Sequence, residues 1–280
     1  MKVAVMTDTT AYIPKDLRKK YNIHIVPLSV VFGEESFRED IDITTEQFYE
    51  KVRVADKLPT TSQPAIGEVV DMFEKLSEEY DAVITIHLSS KLSGTFQAAE
   101  SAGKMVDGID VYPFDSALSA MAQGLFVIEA AERAAAGDAP EKIIAHLENM
   151  RQNIHAYFMV DDLSHLQRGG RLSNAQAILG SLLKIKPILH IVDGLIIPFE
   201  KIRTKKKAIH RIMGMLEDDA VKGKVKRVVF IHANDEASAV ALETEFKHKY
   251  PDIETMISYF GPVVGTHLGE NSLGVAWYTR

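Results

Sequence analysis

Residues 82–106 read AVITIHLSSKLSGTFQAAESAGKMV. The first seven are apolar apart from Thr85 and His87, and Val83, Ile84, Thr85 and Ile86 are β-branched, which suits a strand covered on both faces. Residues 89–94 are a polar turn, and a helix is expected over 95–106. The same alternation runs through the first half. Strands are expected at 3–6, 23–32 (with Pro27 as an edge or bulge feature) and 110–114. Helices are expected from Pro14 through Lys20, over 46–53 behind a Thr44–Gln47 capping box, and over 65–79 with Ile66, Val69, Val70, Phe73 and Leu76 on one face. Two more fall at 118–135 and, behind an Asp138–Glu141 cap, up to 153. Residues 58–64 read as a rigid polar loop. Strands alternating with helices of this length imply a mostly parallel sheet flanked by helices.

The second half differs. Strands are expected at 156–160, 188–192, 195–200, 228–232, 253–259 and 274–279. Asp193-Gly194 lies between two of them and is a strong hairpin signal, so this sheet is mixed or antiparallel. Helices are expected at 175–182, 204–216 and 237–249, with a polar, glycine-containing loop at 163–171. The fold class is therefore α/β in two domains, 1–154 and 155–280, with the boundary near 153–155.

Composition narrows the function. Apolar residues make up 46% and charged residues 25% of the 280 residues, the balance of a globular protein. There is no cysteine, so thiolate catalysis and zinc–cysteine sites are excluded. The net charge of −7 argues against a general nucleic-acid binder. No apolar stretch approaches the roughly 18 residues of a membrane span, and the start, MKVAVMTDTT, reads as a strand rather than a signal peptide. A soluble cytoplasmic protein without stable membrane insertion is expected. One basic run, from Lys201 through Arg203, Lys205, Lys206 and Lys207 to Arg211, is either a solvated helix start or a docking patch for an acidic or phosphate-bearing partner.

Three polar segments fall at strand ends, where open parallel sheets bind ligands. They are Thr61-Ser62-Gln63-Pro64, the 89–95 turn, and Gly265-Thr266-His267-Leu268-Gly269. Ser93 can cap the following helix or turn to a ligand, and the Gly94 N–H can point at the same anion. Thr61 is equally ambiguous. His267 is either structural or orients a neighbouring hydroxyl. A Ser93–His267 hydrolase pair is possible in principle, but there is no Gly-x-Ser-x-Gly elbow. Asp8 and Asp115-Ser116 are candidates to orient the histidine, but spacing alone gives no geometry. No Gly-x-x-x-x-Gly-Lys phosphate loop exists. Asp161-Asp162, and His232 with Asp235 and Glu236, have no recognised metal-ligand spacing.

Taken together, TDTTAYIP (7–14), TTSQP (60–64), SSKLSGTFQAA (89–99), FDSALSAMAQGLFVIEAA (114–131), LSHLQRGGRLS (163–173), LLKIKPIL (182–189) and GTHLGENSLGVAW (265–277) resemble the DegV family. That family's studied members are fatty-acid-binding proteins of bacterial fatty acid kinase systems. The resemblance implies an acyl tunnel between the domains. It implies that Thr61, Ser93, Gly94 and His267 hold the carboxylate of a long-chain (about C14–C18) fatty acid, with no cofactor and no chemistry of the protein's own. It also implies a separate ATP-dependent kinase that makes an acyl phosphate for phospholipid synthesis. Ser62, Thr95, Ala98 and Thr266 are further pocket candidates, and small residues such as Ala98, Ala99 and Ala102 can leave room for the tail or serve close helix packing. Arg171, from the family's Gly-Gly-Arg loop, is a kinase-docking candidate with Lys201 and Arg203. Uncharged donors are expected to hold the carboxylate without an ion pair. The family usually has Gly-Pro-Gly where this chain has Gly269-Glu270-Asn271, which places a negative charge near the mouth. The alternatives are a serine-dependent esterase using Ser93 and His267, and a structural or regulatory protein that holds lipid.

Overall fold

A computed structural model describes residues 1–172 and 186–279. In the first half the strands are β1 (Val3–Asp8), β2 (His24–Val26), β3 (Ser29–Phe32), β4 (Glu35–Arg38), β5 (Thr60–Ser62), β6 (Ala82–His87) and β7 (Asp110–Asp115). The second half supplies β8 (Ile154–Met159), β9 (Ile188–Val192), β10 (Leu195–Glu200), β11 (Val225–His232), β12 (Glu254–Tyr259) and β13 (Leu273–Thr279). One sheet, β2-β1-β6-β7, is parallel throughout. A six-stranded sheet, β10-β9-β8-β13-β11-β12, is antiparallel except for β11 with β12. This is the α/β architecture with a parallel and a mixed sheet that the sequence implied.

The sequence reading missed a third sheet, β4-β3-β5. The expected strand 23–32 breaks at Pro27-Leu28, because Pro27 lacks the N–H that would continue the ladder. His24–Val26 stays on the parallel sheet while Ser29–Phe32 leaves to pair with β4 and β5. The loop expected at 58–64 therefore contains a strand, and Val30 pairs with Thr61.

Several ends differ too. The Thr44–Gln47 capping box forms at the helix Thr45–Val54. The Asp138 cap does not form: Pro140 opens the helix Pro140–Gln152, and Asp138 pairs with Arg133 and Lys142. The helix Thr95–Gly103 stops early against β7, where a Cβ on Gly103 would lie 2.9 Å from Val111 Cγ1. Residues expected as loop form the short helices Ser164–Arg168 and Pro262–Leu268. The helix Lys205–Val221 outruns its expected end. The helix expected at 175–182 lies outside the described residues.

The helix Ala120–Ala135 joins the halves. It is buried from Ala120 to Ala131 and packs on β1 and β6 as well as on β11, β12 and β13. Its Glu129 meets Lys226 and Tyr278 of the second half, and its Glu132 meets Arg227. One hydrophobic cluster runs through both halves, from Val30 and Ile86 through Phe126 to Phe158 and Val229. The division at 1–154 and 155–280 stands as a proposal; β8 of the six-stranded sheet begins at Ile154, and one core spans both halves. Among the described residues no helix is long and apolar enough to cross a membrane.

Candidate functional site

Between the two halves lies a cavity of about 320 Å³, within the range of small-molecule sites. Leu28, Leu88, Ile191, Ile231, Phe260 and Val275 contribute apolar walls. The six-stranded sheet narrows little here, because Ala156 and Ala276 are cross-strand partners and Gly274 faces Phe158. Thr61, Ser93, Gly94, Arg171 and His267 line the same cavity. These come from four segments of the chain, so the fold rather than local sequence brings them together.

Thr61 sits on β5, registered by Val30 of β3. Its Oγ1 lies 2.9 Å from His267 Nε2. His267 is carried by the helix Pro262–Leu268, whose Gly265 packs under Tyr49 where a Cβ would come within 2.6 Å of the hydroxyl. Burial, helped by the positive charge of Arg171 and by His165, pushes the imidazole down to about 4. His267 is therefore neutral at pH 7. Its Nδ1 is buried without a hydrogen-bond partner among the described residues, so no acid orients it. The ring packs on Gly169, where a Cβ would fall 2.2 Å from Nδ1.

Ser93 precedes the helix Thr95–Gly103 rather than capping it, since Gly94 is the N-cap. The Ser93 hydroxyl lies 2.9 Å from Thr95 Oγ1 and accepts from Thr95 N. The loop holding it is anchored by Asp115, which accepts from Ser90 N and Ala117 N. Ser89 adds a bond to Gly194 O of the β9–β10 hairpin at 2.8 Å. Gln63 also lines the cavity and folds over Gly94, where a Cβ would lie 2.1 Å from its Oε1. It stands in the quoted TTSQP segment, but nothing in a lone glutamine signals this role.

Arg171 is the larger surprise. Its Nε donates to Leu92 O at 3.2 Å and its Nη1 to Gly169 O, which fixes it on the cavity wall beside His267. A full positive charge therefore stands among the uncharged donors. The wall formed by Thr61, Arg171 and His267 also borders a second cleft, lined too by Lys57, His165 and Arg168.

The other expected residues are placed as follows. Ser62 lines the cavity. Thr95, Ala98 and Thr266 do not. Thr95 is buried against Ser93, and the Thr266 hydroxyl donates to Pro262 O. Ala99 and Ala102 pack with Val69 and Phe73 against the parallel sheet, so the small residues there serve helix packing rather than tail space. Lys201 and Arg203 are exposed past β10. The basic run is partly neutralised, Lys205 by Asp235 and Arg211 by Glu200. Glu270 is paired with Arg53 and Asn234, which compensates its charge. Asp8, offered as a partner for His267, is buried against His87 at 2.9 Å instead. Ser93 and His267 thus each engage a threonine, not one another. Among the described residues no group of three or more His, Asp or Glu side chains could hold a metal ion.

A family model described as "Uncharacterised protein, DegV family" matches residues 2–280. Protein DegV of Bacillus subtilis (strain 168) is 57% identical over 278 residues, 99% of each chain. The crystal structure of DegV, a fatty acid binding protein from Bacillus subtilis, matches with a TM-score of 0.95 at 56% identity, covering 100% of both chains. A structure of a DegV family protein from Thermus thermophilus, described for its fatty acid binding, matches with a TM-score of 0.93 at 33% identity, again over 100% of both chains.

Proposed function

The chain belongs to the DegV family, and on that basis we propose that it binds one long-chain fatty acid and presents the carboxylate to a separate ATP-dependent kinase. The observation that carries this reading is an apolar cavity with a Thr61–His267 pair, Ser93, Gly94 and Arg171 on its wall.

The tail supplies affinity. A C16 acid brings about 14 methylenes, and at roughly 0.8 kcal/mol each their burial yields on the order of 11 kcal/mol before association costs. The head group supplies orientation, because a buried carboxylate without partners is too costly to keep. With the imidazole neutral, the tautomer that serves is the one protonated at Nε2. It donates to Thr61 Oγ1 and leaves the threonine O–H to donate to the ligand. Ser93 O–H and the Gly94 N–H add donors at a helix start. Arg171 lies close enough to lower the His267 pKa and contributes positive potential.

The kinase step follows from the same wall. Thr61 and His267 line both the apolar cavity and the second cleft. A carboxylate held there by hydroxyl and amide donors keeps a lone pair for in-line attack on the γ-phosphorus of ATP; the bond from that phosphorus to the β–γ bridging oxygen breaks, ADP leaves, and the product is an acyl phosphate. The protein holds and orients; the phosphoryl donor and the catalytic groups belong to the partner. Measuring fatty acid binding beside kinase-dependent acyl phosphate formation tests the reading. Saturable binding with kinase stimulation supports it. Binding with no stimulation by any fatty acid kinase points to lipid storage or regulation instead.

A further inference from the structure

Glu39 follows β4 and is fully buried. Its Oε1 accepts from Tyr12 OH at 2.8 Å and from Val263 N at 2.9 Å. Tyr12 OH in turn accepts from Val264 N at 3.1 Å. Val263 and Val264 lie in the first turn of the helix Pro262–Leu268, whose N-cap is Gly261 and therefore has no capping side chain. Open N–H groups at a helix start need acceptors. Here a carboxylate from a distant sheet supplies them, directly and through a tyrosine. Gly261 makes this possible, because a Cβ there would lie 2.4 Å from Tyr12 Cε1 and 3.0 Å from Glu39 Oε1.

The same helix carries His267. Thr61, its partner, is registered to β3 through Val30, and Glu39 N donates to Leu28 O just before β3. Both ends of the Thr61–His267 contact are thus referenced to one small sheet, Thr61 by the β3–β5 ladder and His267 by Glu39. A second tie, Tyr49 OH to Phe260 O at 2.8 Å, steadies the approach to the helix but does not touch its N–H groups.

We propose that Glu39 is the positioning residue of the head-group grip: ionised, it seats the His267 helix so that His267 meets Thr61, and protonated, it loosens that seat. The inference rests on the fatty-acid reading above.

Burial pushes Glu39 up to about 7, which places the change within the physiological range. The groups facing it do not mask it. Tyr12 and Tyr49 are raised by burial, and Tyr259 is pushed up to about 12, so all three stay neutral. The neighbouring Asp40, paired with Arg18 at 2.8 Å, adds a smaller upward push to that of burial.

The test compares binding of a long-chain fatty acid with that of the alcohol of equal chain length, in wild type and in Glu39→Gln and Glu39→Ala, between about pH 6 and pH 8.5. In wild type the preference for acid over alcohol is expected to rise about tenfold across this range, the difference between a neutral and a charge-assisted hydrogen bond. The alcohol does not ionise, so its own affinity isolates any change in tail packing. Glu39→Gln keeps the shape and the acceptor and is expected to fold, to bind the alcohol as wild type does, and to lose the pH dependence of the preference. Glu39→Ala is expected to lose the preference at every pH. A Glu39→Gln profile that tracks wild type overturns the role of Glu39 alone. Failure of wild type to bind the acid at any pH overturns the lipid reading with it.

Discussion

Thr61 Oγ1 and His267 Nε2 lie 2.9 Å apart although 206 residues separate them in the chain. Their contact joins a short antiparallel strand of the first half to a seven-residue helix of the second. The proposed head-group site therefore draws on both halves of the chain.

In the proposed head-group grip, the hydroxyl of Ser93 serves orientation more than affinity. Ser93→Ala is expected to leave the tail buried and to lower fatty acid affinity by about tenfold, the worth of one hydrogen bond to a charged group. Kinase turnover is expected to fall further, because a carboxylate free to swing leaves its attack geometry. Fatty acid occupancy and acyl phosphate formation, measured on the same preparation, check this. Unchanged turnover would defeat it.

His267 is expected to stay neutral until the pH falls to about 4. Imidazole NMR shifts against pH read this directly. The sign for stability follows. The folded pKa is depressed below the ordinary histidine value, so the contribution is complete above about 6.5 and is lost as the pH falls toward the folded value. A His267 that titrates near pH 6.5 would contradict the burial and the charge of Arg171 as described.

Gly169 offers a steric test with little backbone cost, since its φ is −70° and any L-residue adopts that. A methyl group there would fall 2.2 Å from His267 Nδ1. Gly169→Ala is expected to fold and to push the ring from Thr61. Affinity for the acid should drop about tenfold while affinity for the matching alcohol changes little. Equal loss for both ligands would mean that the ring shapes the tail cavity instead.

The proposed kinase face divides in two. Arg171 is part of the cavity wall, so Arg171→Glu is expected to weaken both acid binding and kinase association. Lys201→Glu with Arg203→Glu, exposed beyond β10, is expected to weaken kinase association and leave lipid affinity unchanged. Surface charges tune association rate and salt dependence more than ligand contacts. Association measured at low and moderate salt separates the cases. A double variant with normal kinase affinity removes this patch from the interface.

The sequence carried the alternation of strands and helices well, because 82–88 is apolar apart from Thr85 and His87, helical periodicity flanks it on both sides, and Asp193-Gly194 is a strong hairpin turn signal. It carried the β3–β4–β5 sheet poorly. Thr60–Ser62 is too short and too polar to register as a strand, and its pairing with Ser29–Val31 is set by tertiary contact. Ser93, Thr61 and His267 drew notice as polar residues at strand ends, but their convergence came from the family resemblance and not from spacing. Arg171 was read as a docking residue, because the backbone carbonyls of Leu92 and Gly169 that turn it to the wall leave no mark in sequence. Glu39 left no mark either: between Arg38 and Asp40 it looks like one more surface acid.

Native mass spectrometry of the protein purified from bacterial cells tests the central claim most directly. The account expects a population heavier by one C14–C18 fatty acid, retained at gentle energies and restored on adding such an acid to stripped protein. Protein that carries only its own chain mass, and takes up no long-chain acid when offered one, would contradict it.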